Sequence, residues 1–218
     1  MPTLTTPNLR LLAAALRSLL VLTVILGLAY PLAMTGLAQL AFGSKANGSL
    51  VSRDGTAVGS ALIGQAFTRP VLENGVPKQD ADGNPVVEAD PAYFHSRPSA
   101  AGAGYDPLST SASNLGPENP DLVAAIQQRR AAAAALDGVD PQTVAPDALL
   151  ASGSGLDPHI SPAYAAQQVA RVAQDRGLDP EAVKRLVREH TTGRLLGFLG
   201  EPHINVLEVN MALDGMSQ

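Results

Sequence analysis

Between Arg17 and Lys45 the chain carries no charged residue, and the segment from Ser18 to Phe42 reads SLLVLTVILGLAYPLAMTGLAQLAF. About 20 apolar residues in a helix, rising 1.5 Å each, cross a hydrocarbon core of about 30 Å. In lipid every backbone amide must bond within the segment, so a crossing here is a helix. The sequence therefore predicts one transmembrane helix over 18–42. It follows an N-terminal tail over 1–17 and carries a domain over 43–218. Pro31 is expected to kink the helix. Ala29, Ala33, Gly36 and Gly43 follow i, i+4, i+7, i+14 spacing and form a candidate helix-packing stripe. Small side chains let a neighbouring membrane helix approach closely, although Gly and Ala are also common in any membrane helix.

A cleaved signal peptide competes with the anchor. Its apolar part runs about 7–15 residues before a small-x-small cleavage site, whereas this run is longer and Ala38-Gln39-Leu40-Ala41 presents that pattern poorly. The uncleaved anchor is the favoured reading. Arg10 and Arg17 precede the span, and Lys45 and Arg53 follow it before the first acids. By the positive-inside rule the N-terminus is cytoplasmic and the domain extracytoplasmic.

Charge is divided sharply along the chain. No Asp or Glu occurs before Asp54, so residues 1–53 carry a net +4 and the remainder a net −9. An acidic domain without a basic cluster argues against nucleic acid, whose phosphates need Lys and Arg. Arg129-Arg130 and Lys184-Arg185 fall on predicted helices among polar neighbours and read as solvated faces. The absence of cysteine excludes disulfides, thiolate metal sites and a cysteine nucleophile.

The domain reads as a mixed α/β (α+β) fold. Leu50-Val51 and Ala57-Val58 flank Asp54-Gly55, a hairpin signal. Residues 70–92, with Asn74-Gly75 and Asp82-Gly83, read as an inserted surface loop or exposed hairpin. Asp80 and Asp82 are spaced like the opening of a calcium loop, but the closing glutamate is missing. Residues 97–120 are small, polar and turn-forming, a length that is unusual unless the loop is structured or functional.

Three helices have readable starts, each a capping side chain followed by proline: Asn119-Pro120, Ser161-Pro162 and Asp179-Pro180. They are predicted to end near Leu136, at Gly177 and at Gly193. At the C-terminus Leu207, Val209, Met211 and Leu213 alternate with Glu208, Asn210 and Ala212, which predicts a half-buried strand.

Ser152 to Ser161 (SGSGLDPHIS) is the segment richest in candidate chemistry. A hydrolase elbow needs glycine two positions before its serine, and a phosphate loop needs Gly-Lys-Ser/Thr; neither is met. His95, His159, His190 and His203 contain no i, i+4 pair of the kind that holds zinc. The favoured reading is a rigid turn whose Ser and Asp side chains bond backbone and cap the next helix. No catalytic or metal-ligating residue is assigned. An alternative is a secreted or membrane-anchored periplasmic binding or hydrolytic protein.

Several phrases occur together and in order. They are Gly59-Ser60-Ala61-Leu62-Ile63-Gly64-Gln65 with Phe67; Tyr93-Phe94 with Arg97-Pro98-Ser99-Ala100; Tyr105 with Ser113-Asn114-Leu115-Gly116-Pro117; Ala151 to Pro162; and His190-Thr191 with Leu196 to Pro202 and Asn205-Val206-Leu207. The chain, from the span to residue 213, resembles the C subunit of the bacterial Kdp potassium-transporting P-type ATPase. It departs in a longer stretch from Val71 to Pro91. His203 also stands in place of an expected arginine, and Thr192 in place of an acid.

The resemblance implies a non-catalytic accessory subunit that assembles with and stabilises a channel-like potassium-selecting subunit, a P-type ATPase subunit and a small single-span subunit. Potassium is then the transported ion, with the exported domain over the external face near the ion entrance. The family is also described as raising the ATP affinity of the pump subunit. Positive-inside topology puts the polar loops across the membrane from cytosolic ATP, so such an effect runs through the helix as coupling between distant sites. No resident cofactor is assigned to this chain. The net −9 of the domain is expected to raise local cation concentration near the entrance. Ser113, Asn114, Ser152, Ser154, Asp157 and Ser161 are the candidates for folding the central loops or meeting partner subunits.

Overall fold

The computed structural model describes residues 6–216, so the start of the predicted tail, 1–5, and the last two residues lie outside the described residues. The chain divides into two units, 1–50 and 51–218.

The first unit is helical. α1 (Thr6–Val24) passes through a π turn at Ile25–Ala29 into α2 (Tyr30–Ala46). The π turn lies just before Pro31. Proline has no N–H to donate and its ring collides with the carbonyl four residues back, that of Gly27, so a wider turn absorbs the lost bond. Phe42 (φ −139°, ψ 40°) interrupts the helix a second time. The apolar helix runs from Asn8 to Ala46, beyond the predicted 18–42 on both sides, and its most apolar window is wholly exposed. Its 39 residues rise about 58 Å, nearly twice a hydrocarbon core. At its end Asn47 donates to Gly43 O at 2.7 Å and exchanges two 3.1 Å amide bonds with Gln39.

β1 (Leu50–Arg53), which begins at the last residue of the first unit, and β2 (Thr56–Ser60) are joined through Asp54 and Gly55 at φ 50° and 79°, the two positive φ values of a type I′ turn. The inserted segment is an exposed double hairpin. β3 (Thr68–Pro70) pairs antiparallel with β6 (Val87–Ala89), and β4 (Leu72–Glu73) pairs with β5 (Val76–Pro77) around Asn74-Gly75. Asp80 closes the turn at Asp82-Gly83 by accepting from the N–H groups of Asp82 and Asn84, each at 2.9 Å.

α3 (Pro120–Asp137), α4 (Pro162–Arg176) and α5 (Pro180–Glu189) start at the predicted caps, whose side chains accept from Asp121, Tyr164 and Glu181 amides. Two expectations need correction. α5 stops at Glu189, not Gly193, because Thr191-Thr192 leave the helix as β8 and pair with β9 (His203–Asn205). The C-terminal segment is a helix, α6 (Val206–Gly215), rather than a strand. Its buried residues are Val206, Leu207, Val209, Asn210 and Leu213, a helical i, i+1, i+3, i+4, i+7 face. Asn205 caps it by accepting from Glu208 N at 3.2 Å.

β7 (His159–Ile160), β9 and β8 form a three-stranded antiparallel sheet in that order. Ile160 and Ile204 from this sheet, Val172 of α4, Val183 of α5, Val209 and Leu213 of α6, and Phe94 share one apolar core. Mixed helices and short strands behind one apolar helix are the architecture the sequence predicts.

Candidate functional site

The central loops, 97–111 and 152–161, are fastened to each other. The Ser99 hydroxyl donates to Gly155 O at 2.6 Å and accepts from the Ala101 and Tyr105 amides at 3.1 and 2.8 Å. Ser154 O accepts from Thr110 Oγ1 at 2.6 Å and from Ser111 N at 3.1 Å. Gly64 N donates to Leu156 O at 2.8 Å, and the Tyr105 hydroxyl donates to Arg97 O. Burial pushes the Tyr105 phenol up to about 12, so it stays a donor at neutral pH. The long turn-forming stretch is therefore a structured loop.

The serines and aspartate of the 152–161 segment serve this turn. Ser152 accepts from Gly155 N at 2.9 Å, Ser154 from Leu156 N at 3.1 Å, Asp157 from His159 N at 3.0 Å and Ser161 from Tyr164 N at 3.2 Å. Ser113 and Asn114 stand apart on the exposed part of the loop, with Asn114 at φ 50°. Of the proposed stripe, Ala29 lies in the π turn and Ala33 and Gly36 in regular helix, all exposed. Gly43 follows the break at Phe42, so it does not continue their helical register.

Arg97 is a hub that sequence reasoning missed. Its guanidinium lies 3.8 Å from Asp147 and 3.6 Å from Asp157. Asp147 also accepts from Ser161 N at 2.6 Å, so the charge network reaches the cap of α4. The hydrogen bond from the His159 ring, then the His159 amide and the charge of Arg97, hold Asp157 below the usual carboxylate range. The His159 ring in turn meets His203 edge-on, centroids 4.5 Å apart, across β7 and β9. A lone Arg before proline carries no local signal for such a role; only the fold brings Asp147 and Asp157 to it.

A second feature, missed as a site, is the loop from 193 to 202. Leu195, Leu196, Phe198 and Leu199 are all exposed there. An unpatterned apolar run between glycines was its signal.

A family model described as K+-transporting ATPase, c chain (KdpC) matches residues 12–215. Three similar proteins bear the name potassium-transporting ATPase KdpC subunit. That of Kineococcus radiotolerans is 53% identical over 205 residues, covering 94% of this chain and 93% of the relative. That of Rhodospirillum rubrum is 49% identical over 206 residues, covering 94% and 96%. The Mycobacterium tuberculosis protein is 48% identical over 206 residues, covering 94% and 98%. These names describe a transporter subunit, not a periplasmic hydrolase or binding protein.

Proposed function

This chain belongs to the KdpC family of K+-transporting ATPase subunits, and from that premise we propose that it anchors an acidic domain over the external face of the transport complex. Potassium is the ion that complex transports, and its other subunits are this chain's partners. In this reading they are a channel-like potassium-selecting subunit, a P-type ATPase subunit and a small single-span subunit. The exposed helix from Asn8 to Ala46 packs among their spans, with Ala33 and Gly36 allowing close approach. Arg10 and Arg17 keep the N-terminus cytoplasmic.

The observation that carries this reading is the exposed apolar helix from Asn8 to Ala46 ahead of a domain of net −9. Only residues 47–49 separate the end of the long apolar helix from β1, so the acidic domain follows the anchor directly along the chain. At the external face its net −9 concentrates cations. Ser152, Ser154, Asp157 and Ser161 keep the central loops folded, while the exposed Ser113 and Asn114 are available to a partner. An influence on nucleotide affinity reaches the pump subunit through the membrane helix, as coupling between distant sites.

The test is purification of the tagged chain from membranes in mild detergent. The three partner subunits should co-elute, with ATP hydrolysis that responds to potassium. A chain that elutes alone, or a mature polypeptide that begins beyond residue 42, overturns the proposal.

A further inference from the structure

The loop that links β8 to β9 is built as a rigid apolar tip. Leu195, Leu196, Phe198 and Leu199 are 69, 76, 70 and 48% exposed, four large apolar side chains within five residues. An exposed cluster of this kind marks an interaction site more often than scattered single residues do. The backbone beneath is fixed. Leu195 N and Leu199 N each donate to the other's carbonyl at 2.9 Å, and Gly197 N donates to Arg194 O at 3.1 Å. Leu196 sits at φ 55° beside Gly197 at 82°, a left-handed conformation that leucine adopts only at a cost. At the neck Arg194 pairs with Glu201 at 2.7 Å, so neither charge is stranded if the tip is covered. An open groove of about 590 Å³ runs along the loop, lined by Leu195, Leu196 and Leu199 together with Arg194, Glu201 and His203.

We propose that this tip seats the domain in an apolar cleft on the extracytoplasmic face of a membrane-embedded subunit of the same complex; this rests on the orientation and assembly proposed above. The bilayer itself is the other apolar surface within reach of a domain tethered by three residues. Two observations favour protein. The domain's net −9 disfavours close approach to any anionic headgroups by like-charge repulsion, while the tip is charge-neutral and suits an uncharged cleft. A backbone locked in a strained turn preorganises side chains for one complementary pocket, which insertion among fluid lipids does not require.

The test uses the full complex and the double variant Leu196→Asn, Phe198→Ser. Asparagine accepts a positive φ readily, so the turn keeps its shape while the apolar contact is lost. Retention of the partner subunits on the tagged chain should fall at least about tenfold, as for two central anchors of an interface. Leu108→Ser, at a leucine 95% exposed elsewhere, should retain them fully. A photo-crosslinking residue at position 198 in native membranes should join the chain to an identified partner subunit. Adducts to lipid alone overturn the inference in favour of membrane insertion, and undiminished retention in the double variant overturns it as well. If the wild-type chain retains no partner, the proposed function falls and this inference with it. Loss confined to the variant distinguishes the two.

Discussion

The side chain of Asn210 answers both polar groups of the Phe94 backbone, 116 residues away: Phe94 N donates to Asn210 Oδ1 at 2.9 Å, and Asn210 Nδ2 donates to Phe94 O at 2.9 Å. Asn210 is 1% exposed and Phe94 is fully buried, so water cannot replace either bond. The amide thus does for an irregular segment what a sheet neighbour does for a strand. Asn210→Leu should cost about 2–4 kcal/mol, because a buried donor and acceptor are both left unmet. Ser113→Ala, at an exposed site, should stay within about 0.5 kcal/mol. Denaturant unfolding of the detergent-held chain, followed by tyrosine emission since there is no tryptophan, measures both. Equal stability of Asn210→Leu and wild type would refute the role.

Gly155 and Gly153 make a matched pair. Gly155 has φ 71°, and a Cβ there would lie 2.7 Å from Ala101 N and 2.8 Å from Ser111 O. Both neighbours are backbone, which cannot rotate away. At Gly153 a Cβ meets nothing within 4 Å. Gly155→Ala should therefore destabilise the chain by about 2–3 kcal/mol and open the 97–111 loop to protease, while Gly153→Ala stays within about 0.5 kcal/mol. Similar cleavage rates in the two variants would show that the two loops do not depend on each other.

Acid should weaken the fold in two separate windows. Burial, and then the charge of Arg171, push the His95 imidazole down from 6.5 to about 4. The unfolded chain takes up this proton near pH 6.5 and the folded chain only near 4. The stabilisation is therefore complete above 6.5, shrinks as pH falls toward 4 and declines no further below that, for a total of about 3 kcal/mol at most. Asp157, held below the ordinary carboxylate range, adds a loss only at lower pH still. His95→Gln should flatten the profile between 6.5 and 4 and leave the lower loss in place. Denaturation midpoints across pH decide this, and an unchanged slope in the variant would assign the upper window to another group.

Features encoded within a few residues were legible in the sequence. The cap-proline pairs, the Asp54-Gly55 and Asn74-Gly75 turns and the charge-free span each act through neighbours along the chain. What misled was one polar residue. Asn210 falls at an apparently outward position in the alternating pattern, so the segment looked like a strand, although Asn205 with Glu208 three residues on spells a helix start. Only the long-range bond to Phe94 explains why an asparagine faces inward. The site divided in the same way. The serines of 152–161 were readable as turn formers, but the buried Arg171–Asp137 pair at 2.7 Å and the Arg97 hub depend on residues that only the fold makes adjacent.

The acidic field is open to a direct test. Glu73, Asp82, Glu118 and Asp175 are exposed, and the Gln and Asn replacements at these four sites bring the domain from −9 to −5. Each unit charge about 20 Å from the ion entrance contributes about 0.2 kcal/mol in water, and about half of that survives screening at about 10 mM salt. The four together should weaken apparent potassium affinity about twofold in the assembled complex at that ionic strength, with maximal ATP hydrolysis unchanged. In about 1 M of an inert salt, where the screening length is about 3 Å, the variant and wild type should coincide. Affinities that agree at low salt would leave the acidic composition without a role in gathering potassium, and a difference that persists at high salt would point to local structure instead.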